Sequence, residues 1–213
     1  MIRKILVKIP EEQIQQDLEK LRQRSVELGA TDARVIRADQ VIVDERVVAK
    51  CTYPRCFGYG TNANCPPYAM SPDQLRKVLE RFHYAVLIKM EVPAEDIAGV
   101  KARDRKRLKP YMRRLAEITA QIEAEAFYDG YHLALAFGNG SCKGVFCPGT
   151  DCQALVPGQA CPHHLKARAP MEAVGIDAFT MAARVGWDIY PIGTATSASE
   201  VPYGLRLALV LVD

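Results

Sequence analysis

Hydrophobic positions follow two rhythms along the chain, one near 3.6 residues and one of two, and both lapse in a pair of Gly/Pro-rich stretches. Ile2 to Ile9 predicts a short strand. Pro10 then opens a helix in which Ile14, Leu18, Leu21 and Leu28 share one face, and Gly29 stops it. Ala33 to Ile36 and Val41 to Val48 are β-rich. Ser71-Pro72 places proline at the first helical position, for a helix running to about Phe82. Ala85 to Val92 predicts a strand. Tyr111, Leu115, Ile118 and Ile122, spaced 4, 3 and 4 apart, mark a long helix that Gly130 ends.

Further on, large and smaller residues alternate from Tyr131 to Phe137, the pattern of a half-buried strand. A helix is expected from about Asp177, as N-cap, to Val185, and a strand from Trp187 to Ile192. Leu205 to Val212 is almost continuously apolar and suits a central strand. Gly193 to Pro202 is a small-residue loop, and no Pro/Ser linker divides the chain. The expected architecture is α/β or α+β: one domain over residues 1–213, with a mixed β-sheet flanked by helices. Cysteine-rich insertions interrupt it at about 50–70 and 138–165.

Composition narrows the class. The 213 residues are 49% apolar and 25% charged, ordinary globular values that exclude disordered, collagen-like and coiled-coil chains. No apolar run approaches the roughly 20 residues that span a bilayer. Met1 to Pro10 is too short and too interrupted by Lys4 and Lys8 for a secretory signal. A cytoplasmic protein without membrane attachment is expected.

The seven cysteines change the picture most. An odd number cannot all pair within one chain, and a reducing cytoplasm does not keep such pairs oxidised. All seven fall in the two Gly/Pro-rich stretches, outside the clear helical and strand patterns, so metal ligation is the reading that survives. The first stretch reads Cys51-x4-Cys56-x8-Cys65-Pro-Pro, the second Cys142-x4-Cys147-x4-Cys152-x8-Cys161-Pro. The spacing of Cys51, Cys56 and Cys65 recurs in Cys147, Cys152 and Cys161, which suggests an internal pseudo-repeat.

Structural zinc favours cysteines two to four residues apart, gripping a small tetrahedral ion. Gaps of four and eight suit a larger object reached from several directions, such as an iron–sulfur cubane, with glycines giving the backbone room to approach. Thiolates with almost no histidine among them point the same way. One or two [4Fe–4S] clusters are therefore expected, with zinc as the alternative. Four cysteines in the second stretch suffice to close one cluster. Three in the first leave an iron open to a small-molecule substrate, or to a fourth ligand such as His163, His164, a carboxylate or a shared cysteine.

The run Cys56-Phe-Gly-Tyr-Gly leading to Cys65-Pro-Pro, Gly-Ser-Cys142 leading to Cys161-Pro-His, and Met171-Glu-Ala-Val-Gly-Ile-Asp177 resembles domain of unknown function 2284, a family of predicted metal-binding proteins. The resemblance covers about Lys50 to the C-terminus and all seven cysteines. It implies metal binding, iron–sulfur in character, in anaerobic metabolism. It carries no reaction. The functional expectation is a protein active in redox or electron transfer, or one presenting an open cluster iron to a small substrate; the alternative is a zinc protein with a structural or metal-trafficking role and no catalysis.

Other signals have plainer readings. Gly138-Asn-Gly140-Ser-Cys142-Lys-Gly144 has the wrong spacing for a dinucleotide loop. Lys101 to Arg114 holds eight of the 28 basic residues and one acid, Asp104. That segment is either a solvated face or a dock for an acidic redox partner such as a ferredoxin or flavodoxin. No nucleic-acid motif accompanies it, so nucleic acid is not an expected partner. His83, His132 and Trp187 read as structural, and Tyr59 and Tyr68 as shields for the first cysteine stretch.

Overall fold

The computed structural model describes residues 2–100 and 106–213. Its centre is a four-stranded sheet of β1 (Asp32–Arg37), β2 (Tyr84–Pro93), β3 (Leu135–Phe137) and β4 (Tyr203–Leu211), in the order β1-β2-β4-β3. Every strand pair is antiparallel, which corrects the expected mixed sheet to the α+β form. The reason is where the connections return. The chain leaves β1 at Arg37 and re-enters β2 at Tyr84, opposite Arg37 itself, so the intervening residues are an excursion from one end of the sheet. A parallel pairing needs a crossover along its full length.

Two layers cover the sheet. The helix α1 (Glu11–Glu27) and the long helix α5 (Lys109–Tyr128) pack Leu18, Leu21, Leu115 and Ile122 against Val86, Ile88, Ala208 and Val210. The opposite strand face, Ala85, Leu87, Leu207, Leu209 and Leu211, meets Leu75 of α3 (Pro72–Leu79), Met171, Val174, Ile176, and Met181 of α7 (Ala178–Arg184). Because β2 and β4 are buried on both faces, their sequences read as continuous apolar runs. Caps match the expected boundaries: Ser71 Oγ accepts from Gln74 N, and Asp177 Oδ1 accepts from Thr180 N at 3.1 Å. Gly29, at φ +104°, ends α1.

Four expected strands differ. Residues 2–9 form no strand; Arg3 N bonds Tyr128 O, and Ile2, Ile5, Leu6 and Val7 are exposed with no strand beside them. The second half of 41–48 opens α2 (Glu45–Thr52), because Asp44 caps a helix there; Val43 keeps one bridge to Ile176. Only Leu135–Phe137 of the stretch after Gly130 pairs, since Tyr131 N closes back on Ala126 O. Residues 187–192 are irregular, with Trp187 Nε1 bonded to Asp32 Oδ2 at 3.0 Å and Pro191 lacking a ladder donor. Trp187 is core, as expected, whereas His83 and His132 are solvent-exposed rather than built into the interior. Two short helices, α4 (Ala94–Ile97) and α6 (Cys142–Phe146), complete the elements used below. Among the described residues no helix is long and apolar enough to cross a membrane.

Candidate metal centre

The first cysteine stretch begins in the last turn of α2, which carries Cys51, and continues through tight turns to Cys65, ahead of α3. The second begins at Cys142, the first residue of α6, directly after the Gly138–Gly140 turn that follows β3. The pseudo-repeat has a local structural counterpart. Cys56 O accepts from Tyr59 N, Cys65 O from Tyr68 N, Cys152 O from Leu155 N and Cys161 O from His164 N, all at 3.0–3.2 Å. Each of these cysteines starts a turn.

The thiols fall into two sets. Cys51, Cys56 and Cys65 lie within electrostatic reach of one another, and Cys51 and Cys65 also feel the Glu172 carboxylate. Cys142, Cys147, Cys152 and Cys161 line one cavity of about 220 Å³, together with Asn64, Lys143 and His163, and Cys142 also lies within electrostatic reach of Cys65, so the two sets meet at that pair. Among the described residues, no three His, Cys, Asp or Glu side chains gather at single-ion distance. All seven cysteines are free thiols. Burial pushes Cys51 and Cys142 up to about 11, with neighbouring thiols adding to the shift, and Cys65 and Cys147 are raised for the same first reason.

A polar seam joins the sets. Asn62 is fully buried; its Nδ2 donates to Ser141 Oγ at 3.1 Å and to Gly58 O at 3.2 Å. Asn64 Nδ2 donates to Cys142 Sγ at 3.4 Å, and the Cys142 thiol faces Asn62 Oδ1 at 3.6 Å. Asn62 and Ser141 also act on Cys65, favouring its thiolate against the effect of burial. Sequence reasoning missed these residues. The available signal was the pair of amides, Asn62 and Asn64, immediately before Cys65, polar groups that a buried loop retains only with partners.

The remaining candidates divide. His163 and His164 both line the four-thiol cavity, but His163 stacks on Phe146 with ring centroids 5.4 Å apart, and His164 Nδ1 sits 3.1 Å from Cys161 O. Tyr59 lies under Arg55 and Tyr68 is 56% exposed, so Tyr68 is no shield. Of the basic segment, residues 101–105 lie outside the described residues. Lys106 and Lys109 line a cavity of about 330 Å³ with Phe57, Ser141 and Gly144, beside both cysteine loops. Arg107 pairs with Asp96 at 3.6 Å, and Arg113 reaches Val145 O.

Four thiols line one cavity of about 220 Å³, a donor set of the kind that holds a thiophilic metal centre. No curated protein and no solved structure matches the chain. A family model described as a predicted metal-binding protein, domain of unknown function 2284, matches residues 34–211. The match begins within β1, and so takes in most of the sheet as well as both cysteine loops. With most of its length matched and all seven cysteines inside the match, the chain belongs to the family of predicted metal-binding proteins, domain of unknown function 2284.

Proposed function

We propose that the chain is a cytoplasmic iron–sulfur redox protein of anaerobic metabolism. Cys142, Cys147, Cys152 and Cys161 would hold a closed [4Fe–4S] cluster, and Cys51, Cys56 and Cys65 a second with one position open to a small substrate. The observation that carries this reading is the ring of four thiols around a single cavity. Bound there, such a cluster supplies reversible one-electron reduction. The chain's own residues do the tuning. Asn64 donates to Cys142 Sγ and so favours its thiolate, while Asn62 and Ser141 do the same for Cys65. Lys143, in the cavity wall, offsets negative charge near Cys147. Phe146 and His163, stacked together, exclude water from one side. The basic segment would dock an acidic electron donor beside these loops.

The test is anaerobic purification followed by metal and sulfide analysis. Iron and acid-labile sulfide in equal amounts, in a brown protein that bleaches on reduction, are the expected result. A colourless protein holding zinc and no sulfide overturns the reading. The variant Cys152→Ala should lose the four-thiol cluster and keep iron on the other set; loss of all iron would instead mean one shared cluster.

A further inference from the structure

The cavity of about 330 Å³ beside both cysteine loops is within the size range of small-molecule sites. Phe57, directly after Cys56, lines one side of it; Ser141 and Pro148, next to Cys142 and Cys147 in the chain, line another. Ser141 also ties the cavity wall to the three-thiol set. A Cβ on Gly58 would meet Cys65 Sγ at 3.1 Å and Ser141 Oγ at 3.6 Å, so that thiol and that hydroxyl are neighbours.

The charged residues in the lining are both cations, Lys106 and Lys109, and among the described residues no carboxylate lines the cavity. Lys106 is engaged by another group. The Lys109 side chain is half-buried and has no ion pair or hydrogen bond among the described residues. It is also the first residue of α5, whose first turn holds no acid to offset it. Residues 101–105, outside the described residues, comprise three cations, one acid and an alanine, so their charge does not reverse the balance. A half-buried cation without a counter-ion gives up hydration for nothing, and an anion in the cavity would make good that loss.

We propose that this cavity binds a small organic carboxylate, with the carboxylate on Lys109 and the apolar body against Phe57, Met112 and Pro148. A charge-assisted bond to the lysine is roughly twice as strong as a neutral one, which decides for a carboxylate over an amide or alcohol. An inorganic anion would satisfy the lysine and leave the apolar lining uncovered. That this carboxylate is the class of substrate met by the open position of the three-thiol set rests on the iron–sulfur reading. The binding itself does not.

Calorimetric titration of the anaerobically purified protein with benzoate tests this, with benzamide and inorganic phosphate as comparators. One saturable benzoate site is expected, with each comparator about tenfold weaker or more. Lys109→Gln should weaken benzoate to the level of benzamide. Lys109→Arg keeps the charge and should retain most of the affinity. Circular dichroism and iron content, matched to the parent protein, establish that each variant is folded. Saturating benzoate should also shift the electron paramagnetic resonance signal of the reduced protein. No benzoate binding overturns the proposal. So does equal binding of benzamide or phosphate, full binding by Lys109→Gln, or an arginine variant as weak as the glutamine one. Benzoate binding that leaves the resonance signal unchanged overturns the substrate role. Iron and sulfide in a protein that ignores benzoate would sink this inference and spare the iron–sulfur reading. Benzoate binding to a protein that contains no iron would uphold the site and sink that reading.

Discussion

Asp17 sits among the apolar residues of α1, 3% exposed, and takes hydrogen bonds from Arg3, from Gln13 at 3.2 Å and from the Tyr131 hydroxyl at 2.9 Å. Burial pushes its carboxyl up, but the bonds from Arg3 and Tyr131 outweigh that and hold it below its ordinary range. Its contribution to stability is therefore complete above about pH 4, the unfolded value, and is lost as pH falls through the lower folded value. Asp17→Asn should cost about 2–3 kcal/mol in chemical denaturation, since Arg3 is only partly buried, and should flatten the acid limb of stability against pH. An unchanged acid limb would show that the pair is not a stabilising one. The helical pattern places Asp17 beside Ile14 and Leu18, but its partner Tyr131 lies 114 residues away and cannot be read from spacing. Gly58 is a second residue whose role only the structure shows. A Cβ there would come within 3.1 Å of Cys65 Sγ, so Gly58→Ala should displace that thiol and lower iron on the three-thiol set. Gly144→Ala, whose new methyl would meet Phe57 at an ordinary 3.9 Å, is the control and should keep its iron.

Among the elements, α2 depends most on its ends. None of its residues is fully buried, so packing holds it weakly, and Asp44 bonds Arg46 N at 2.8 Å to start it. The same carboxylate grips the Arg46 side chain, which first lowers it, with the backbone bond next, to about 2. The cap therefore persists in acid down to about that pH, because a group with a depressed folded value loses its bond only below it. Asp44→Ala should speed amide exchange across Glu45–Thr52 and loosen Cys51, lowering iron on the three-thiol set without a comparable fall in global stability. Equal exchange in parent and variant would remove the cap from the account. How far elements were legible follows from the same physics. Helices α1, α3, α5 and α7 carry caps or long apolar stripes, and β2 and β4 carry runs too apolar for anything but the interior. Residues 41–48 hid a helix because Val41, Ile42 and Val43 supply a β-branched run just ahead of Asp44. Residues 2–9 and 187–192 are rich in β-branched or aromatic side chains, yet a strand exists only where a neighbour accepts its ladder, and that is a tertiary fact. The cysteines were legible from spacing, as a group and as a division into three and four; the seam of Asn62, Asn64 and Ser141 that joins the two loops was not.

At the scale of the molecule, Lys106 and Lys109 bring positive charge to the edge of both cysteine loops. Charges in such a position act on encounter rate and registry more than on the redox centre itself. The double variant Lys106→Glu/Lys109→Glu should slow reduction by an acidic ferredoxin or flavodoxin and leave reduction by a small uncharged reductant unchanged. The parent's advantage should fade as salt rises past roughly 0.15 M, where the screening length is about 8 Å. Equal rates for parent and variant at low salt would leave this segment a solvated face.

The seam of Asn62, Asn64 and Ser141 has a thermodynamic consequence. Two side chains from the first loop bond the Ser141 hydroxyl and the Cys142 thiol that open the second, so whatever orders one loop removes part of the conformational freedom the other must give up. Occupancy at either thiol set then raises affinity at the other, and by reciprocity the two couplings are equal. Reconstitution with iron and sulfide should pass from empty to doubly filled chains with few half-filled ones. Asn62→Ala and Asn64→Ala together should make half-filled chains accumulate in native mass spectra. An intermediate population as large in the parent as in the variant would mean that the loops fill independently.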